Sequence, residues 1–348
     1  MTIGIDFLRA EELAGAAQTL HTRLRNHPLL DAFPRERYGA GEIKIRVEVM
    51  EARQAKVHGW DEPVRLGEGH DLRVISVEPA LIKEGREISN EEESFFRSWD
   101  ELIATRQAEQ SLQEKRAKHI ATITRDATLP VNERRHQLMV QCLQDGQLSI
   151  PFNGVTQTVS YGLTDLGTPT LVWSNASAKI AREIYELQDA FEDNADVPAD
   201  TVFFNPKLFS TYLAQNTDWL DYLKNNPVLA AAFAGYSPSN MRFHMPKQPF
   251  VMFDMLWVPV PGKVINDAGT KVDRWDVNQL TFAALNAGDG QQVLEWSAAQ
   301  NKYQPTADPM FRLFMKDDPM QAIVEYSDNG IPAVRIRERI QTFDCTST

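Results

Sequence analysis

The side chains able to do chemistry are dispersed along this chain. Its seven histidines stand at 21, 27, 58, 70, 119, 136 and 244 and show no metal-ligand spacing. His58 and His70 can meet across a hairpin, but two imidazoles without a third ligand fall short of the four-coordinate site zinc requires. Cys142 and Cys345 are separated by most of the chain, with no C-x-x-C pair and no neighbouring His. Two thiols cannot staple a fold of this size, so the expected setting is reducing or redox-indifferent. Cys142 reads as a packed helix residue and Cys345 as incidental. The acidic pairs Asp317-Asp318 and Glu192-Asp193 read as solvated loop residues. Arg134-Arg135 could touch phosphate, but an exposed helix start is the simpler reading. No G-x-S-x-G, Walker lysine loop, H-E-x-x-H or post-strand G-x-G-x-x-G is present. Gly67-Glu68-Gly69 has no helix behind it to cradle a phosphate. Phe203, Phe204, Phe209, Trp219 and Tyr222 read as core, not as stacking platforms on a basic stripe. The expectation is no catalytic residue, no cofactor and no metal, and a structural role.

Composition agrees. The 348 residues are 43% hydrophobic and 24% charged, ordinary for a globular protein, which excludes a disordered or collagen-like chain and a disulfide scaffold. The length suggests two or three domains. The net charge of −12 argues against a dedicated DNA-coating or anionic-membrane protein. The opening residues lack the basic and apolar regions of a signal peptide, and no apolar window approaches the length of a membrane span. A cytoplasm-like compartment is expected unless a larger object carries the protein out.

The elements that would position any function follow from periodicity. Residues 1–20 suit a short amphipathic helix through Phe7, Leu8, Leu13, Ala16 and Leu20. The Pro- and Gly-rich stretch to residue 41 reads as an irregular arm. Ile43, Ile45, Val47 and Val49 alternate with Lys44, Arg46 and Glu48, the mark of a half-buried strand. With a partner strand at Leu72–Val77 it makes a long hairpin whose polar tip lies near Gly59–Asp71. Such a hairpin is marginal alone and needs a partner surface. Residues 91–127 read as one long helix, about 55 Å at 1.5 Å per residue. Ser89 or Asn90 caps it, with Glu92 or Glu93 closing a capping box, and Glu93/Arg97 is spaced for an ion pair. Its sparse apolar stripe places it along a surface. Pro130 is expected to break it, leaving a second helix over 131–144 that stops at Gly146. Beyond lie a hairpin with Phe152-Asn153-Gly154 at its turn, helices near 175–192 and 206–224, a buried strand in TVFFNP, and a strand-rich span at 250–285 with an exposed loop at 266–272. The end of the chain reads as a hairpin turning at Ser327-Asp328-Asn329-Gly330.

The order of these elements is more specific than any site. VEPALIKEGREIS (77–89) resembles a strand leading from an extended loop into a long helix. RRHQLMVQCLQDGQLSIPFNGVTQTVSYGL (134–163) resembles a helix, glycine stop and hairpin. TPTLVWSNASAKIAREIYEL (168–187), VFFNPKLFSTYLAQNTDWLDYLKN (202–225) and Asp318-Pro319 after PMFRLFMKD continue the match. Together they resemble the major capsid protein E family of tailed phages, the lambda-like branch of the HK97 fold. Ile331-Pro332 departs from the Pro-rich segment that the family carries near its end.

The resemblance implies an α+β HK97-like capsid fold. It implies an N-terminal arm (1–41), an extended E-loop (42–86), a peripheral P-domain (87–164 with 309–348) holding the long spine helix, and an axial A-domain (165–308). It implies no enzyme, but a shell subunit that forms hexamers and pentamers of an icosahedral virion around double-stranded DNA, assembled in the host cytoplasm. Its partners would be copies of itself, with decoration, scaffold and portal proteins as further candidates. Packaged DNA would be touched non-specifically, and no membrane is involved. Trp60, Asp61, Arg65 and His70 at the E-loop tip are the candidate inter-subunit contacts, set against an ordinary polar turn. An encapsulin-like nanocompartment shell and a cytoplasmic α/β enzyme are the alternatives.

Overall fold

The computed structural model describes residues 8, 10–23, 28–40, 43–49, 71–104, 110–152, 155–163, 171–175, 177–213, 216–225, 249–265, 269–286, 290–300, 305–317 and 320–346. The chain opens with helices α1 (Ala10–Arg23) and α2 (Pro28–Ala32), then strands β1 (Arg35–Ala40), β2 (Ile43–Val49), β3 (Asp71–Val77) and β4 (Leu81–Ile88). Helices α3 (Asn90–Ala104) and α4 (Gln110–Asp145) follow, and then the hairpin β5 (Gln147–Phe152) and β6 (Val155–Ser160). Next come α5 (Ile180–Ala195), β7 (Thr201–Phe204), α6 (Lys207–Thr211), α7 (Thr217–Asn225), β8 (Phe250–Met252), β9 (Met255–Pro259), β10 (Lys263–Ile265), β11 (Lys271–Asp273) and β12 (Gln279–Ala283). The chain returns through β13 (Leu294–Gln300), β14 (Met310–Asp317), β15 (Met320–Val334) and β16 (Ile340–Asp344).

Two sheets organise these pieces. One runs β1-β13-β15-β14, with β4 also paired to β15; the other runs β16-β12-β7-β9-β8. The second sheet and helices α5 to α7 enclose an aromatic core of Phe191, Phe204, Phe209, Trp219, Trp257 and Phe282. A second core joins β2, β3, β13 and the C-terminal half of α4. A third lies where α1, α3 and the N-terminal half of α4 cover β4, β14 and β15.

Helix α4 is the spine between the last two. Its first half buries Ile120, Ile123, Ala127 and Val131, and its second buries Leu138, Met139, Cys142 and Leu143. Pro130 lies inside it and does not break it. An interior proline costs about 3 kcal/mol. Fully buried Leu or Met side chains contribute about 1.5–3 kcal/mol each, so the residues on either side outweigh it. Pro130 itself is exposed, so its ring displaces no core atom. The helix expected over 91–127 is therefore α3 and α4, with 105–109 outside the described residues. Ser89 and Glu92 form the anticipated capping box: the Glu92 amide donates to Ser89 Oγ at 3.2 Å and the Ser89 amide to Glu92 Oε2 at 3.1 Å. Arg97 pairs with Glu93 at 2.7 Å. Gly146 ends α4 with φ +61°, where a Cβ would stand 2.9 Å from that of Leu163.

Four further readings are corrected. The arm is not irregular throughout, because α2 and β1 occupy 28–32 and 35–40 and β1 pairs in parallel with β13. The helix expected over 206–224 is α6 and α7; Asn216 Oδ1 accepts the Trp219 amide at 2.8 Å and so starts α7 as an N-cap. Cys345 is not incidental but fully buried beneath the second sheet. The fourth correction is the largest. Ser327–Gly330 is no turn: β15 runs straight through it, and Ser327, Asp328 and Asn329 are at most 2% exposed. The chain reverses instead between β14 and β15, where Asp317 pairs with Met320.

Candidate functional site

The centre of β15 gathers charge where the sequence suggested a solvated turn. Asp328 is fully buried and takes a two-pronged contact from Arg35 of β1, Nη1 to Oδ1 at 2.9 Å and Nη2 to Oδ2 at 2.6 Å. Arg135 of α4 approaches the same carboxylate, Nε to Oδ2 at 3.0 Å. Its guanidinium lies 4.8 Å from the Trp296 ring centroid, so the ring face supports the cation where water cannot. Burial lowers the Arg135 pKa, and the Asp328 charge works against that. Tyr326, buried beside Asp328, is pushed up to about 12, first by burial and then by that charge. Arg35 spends a further donor on the Ala307 carbonyl at 2.7 Å.

A second cluster sits on the neighbouring strand. Glu295, also fully buried, accepts from Tyr38 Oη at 2.7 Å, Ser297 Oγ at 2.5 Å and Arg335 Nε at 2.8 Å. Arg335 Nη2 closes the ring by donating to Tyr38 Oη at 2.7 Å. Burial is the largest single influence on Arg335 and would lower its pKa, but the bond to Glu295, that carboxylate's charge and the nearby Tyr38 and Glu36 together outweigh it and raise the pKa. Tyr38 rises to about 12, through burial and then through its bond to Glu295. Both clusters fasten β1 to the body: Arg35 and Tyr38 come from the arm, and every partner comes from the body.

The clusters leave no group free to act on a substrate. Each buried carboxylate is paired, Asp328 with Arg35 and Arg135 and Glu295 with Arg335 and two hydroxyls, which is the requirement for burying charge at all. Among the described residues no group of three or more His, Cys, Asp or Glu side chains could hold a metal. Burial pushes both cysteine thiols up, away from thiolate chemistry. Among the same residues no helix is long and apolar enough to cross a membrane. What this arrangement can do is hold an extended arm in place.

The hairpin base is described, and it pairs as anticipated, from Ile43 opposite Val77 to Val49 opposite Asp71. Ile43, Ile45, Val47 and Val77 are at most 1% exposed and share a core with Trp296 and Ile340. The base therefore rests on its own subunit rather than waiting for a neighbour. The reason is local: two residues separate β1 from β2, so the strand that docks on β13 carries the hairpin with it. Trp60, Asp61, Arg65 and His70 lie outside the described residues, as does His58. Arg134 and Arg135 are not an exposed helix start, since α4 runs past them on both sides and Arg135 is 7% exposed. Arg35, Tyr38, Glu295, Asp328 and Arg335 were not anticipated. One signal pointed to Asp328: the buried positions 322, 324 and 326 set a period of two that continues through 328 and 330.

Comparison with known proteins places the architecture. A family model described as phage major capsid protein E matches residues 10–294. A phage-related protein from Bordetella bronchiseptica RB50 superposes with TM-score 0.54 at 11% identity, over 93% of this chain and 92% of its own. A chain from Gordonia phage Cozz does so with TM-score 0.50 at 13% identity, over 91% and 86%. At such identities the likeness is one of fold. No protein of curated function matches the sequence significantly.

Proposed function

The chain belongs to the phage major capsid protein E family, and from that premise we propose how it works. It is a structural protein of the phage capsid, not an enzyme, and its fold is the α+β HK97-like capsid fold. In the proposed reading, copies close into hexamers and pentamers, and these into an icosahedral shell around the double-stranded DNA of a tailed phage. The observation that carries the reading is the family match itself, which runs from the arm helix through the hairpin, the spine and the aromatic block.

Residues 1–41 then act as the arm and 42–86 as the E-loop, whose tip reaches the adjacent subunit through Trp60, Asp61, Arg65 and His70. Residues 87–164 with 309–348 form the P-domain, a grouping supported by the pairing of β14 with β15 and the packing of both under α3 and α4. Residues 165–308 form the A-domain. The aromatic core supports the larger part of that span: among the described residues it runs from Leu171 to Ala284 and is joined by Phe343 and Cys345, whereas β13 pairs in the other sheet. Subunits assemble in the host cytoplasm, with scaffold, portal and decoration proteins as partners and non-specific contact to DNA.

Deleting residues 55–72 tests the division of labour. The deletion takes Asp71 and Leu72 from the open end of the hairpin base but leaves the pairing from Ile43 to Val47 and all three cores, so the subunit is expected to fold with a cooperative unfolding transition yet form no stable shells. Normal shells from the deletion would remove the role assigned to the loop. Shells enclosing a cargo protein in place of DNA would move the protein to the nanocompartment reading.

A further inference from the structure

Two solvent-facing surfaces of this chain are complementary to each other, and we propose that they meet between adjacent copies: the β8–β9 edge of one subunit against the outer face of the next subunit's hairpin base. This rests on the shell-forming reading and names a contact within it.

The first surface lies at the end of the second sheet, where β8 is the last strand among the described residues. Val251 on β8 and Leu256 opposite it on β9 are 64% and 42% exposed. Val251 is the most exposed large apolar side chain among the described residues. The turn joining the two strands is held under strain. Phe253 and Asp254 have φ of 54° and 58°, a left-handed conformation that costs an L-residue about 1–2 kcal/mol. Packing holds it there. The Phe253 ring lies 5.0 Å from Tyr185 and 5.2 Å from Tyr222, and Gln188 Nε2 donates to its carbonyl at 2.8 Å. The consequence is a fixed outward position for Asp254, which is exposed and forms no ion pair among the described residues.

The second surface is the wet face of β2 and β3. Val74 is 56% exposed and stands directly opposite Arg46, with Lys44 two residues along the same face. Lys44 and Arg46 are exposed and likewise form no ion pair among the described residues. One surface thus offers apolar side chains beside a carboxylate with no ion pair among the described residues, and the other an apolar side chain opposite one such cation and diagonal to a second. The occupant of each is a second copy of this chain because both halves of the match are carried by one sequence.

The geometry has a consequence. The two surfaces are different, so the contact is heterologous: it propagates from copy to copy and closes only as a ring. A partly exposed valine and leucine fall far below the roughly 1,200 Å² of a stable two-body interface. The contact suits a subunit held by many neighbours at once. The β10–β11 hairpin provides a control surface. Val272 there is 37% exposed beside Lys271, but the adjacent Asp273 is already held by Lys207 at 2.6 Å.

The test follows shell formation by the full-length chain, using sedimentation and negative-stain electron microscopy. Asp254→Lys alone, and Lys44→Asp with Arg46→Asp alone, are expected to lose shells while keeping the parent's unfolding midpoint. The chain carrying all three reversals is expected to recover them, and Lys271→Glu to assemble as the parent does. Val251→Cys and Val74→Cys in one chain are expected to give a ladder of covalent multimers on mild oxidation, with neither change alone giving dimers. A parent that forms shells, beside a charge-swapped chain that does not and a cysteine pair that yields no ladder, overturns the contact alone. A parent that never forms shells overturns the shell reading, and the contact falls with it.

Discussion

The aromatic block under the second sheet and the seam that holds the arm are both buried, and they are stabilised in opposite ways. In the block, Phe204 lies 5.3 Å from Phe209 and 5.5 Å from Trp257, ring edges against ring faces, with nothing to neutralise. Its energy scales with the apolar area removed from water, so each ring contributes largely on its own. In the seam, Asp328 with its two arginines and Glu295 with Tyr38 and Arg335 are tolerable only as complete sets. Taking any one charge out of water is costly, and the return comes only when its partners are in place. The block therefore sets how stable the subunit is, while the seam sets which segment may lie against β13 and β15. A capsid subunit gains from that division, because its arm must dock in one register.

The largest predicted effect tests whether the seam behaves as a set. Asp328→Ala strands the buried Arg135 guanidinium and the partly exposed one of Arg35, and is expected to cost about 3–5 kcal/mol in urea unfolding. Replacing Arg35, Arg135 and Asp328 together by Met, Met and Leu should cost far less than that single change. A triple variant as unstable as Asp328→Ala would mean that the seam is not a coupled unit. In the aromatic block, Phe209→Ala should cost a comparable amount, about 3–5 kcal/mol, since it empties a filled core site. Here a second truncation at a distant ring should add its own cost, and a strongly non-additive pair would erase the contrast.

A smaller effect is expected at Gly330, beside the charged centre of β15. A Cβ there would meet Trp296 Nε1 at 2.6 Å and the Ser297 carbonyl at 2.7 Å. One of these is backbone and the other belongs to the ring under Arg135, so neither can yield cheaply. Gly330→Ala should destabilise by about 1–3 kcal/mol by thermal unfolding, the usual cost of overpacking.

Alkali should separate the regions more gently. The folded-state pKa of Tyr38 stands at about 12 against an ordinary 10. The neutral phenol's contribution is complete below pH 10 and is lost as pH rises through 12. Tyr326 follows the same direction. Tyr38→Phe should flatten part of the fall in unfolding midpoint over that range. The part is modest, because Tyr38 is partly open to solvent. Smallest is the cap outside both regions: Ser89→Ala should cost about 1 kcal/mol through the start of α3, with all three cores intact by near-ultraviolet circular dichroism.

The same contrast explains what the sequence disclosed. Phe203, Phe204, Phe209, Trp219 and Tyr222 could be read as core because apolar residues have few other places to go. The hairpin base was legible in the alternation from Ile43 to Val49, and the start of α3 in Ser89 and Glu92, because both signals are local. The seam was not legible. Ser, Asp, Asn and Gly in a row favour a turn by local chemistry, and pairing with β4, β13 and β14 makes them a strand. Arg35 and Asp328 lie 293 positions apart. Pro130 misled for the same reason, since its cost is local and the packing that outweighs it is not. The family match bore out what the ordered passages had suggested together, though none of them was specific alone.

The most direct test of the account is cryo-electron microscopy of the full-length protein expressed alone and allowed to assemble. The account predicts closed icosahedral shells in which residues 50–70 of each subunit lie over a neighbour while the seam at Asp328 stays within one chain. Discrete monomers with those residues packed against their own body would contradict it.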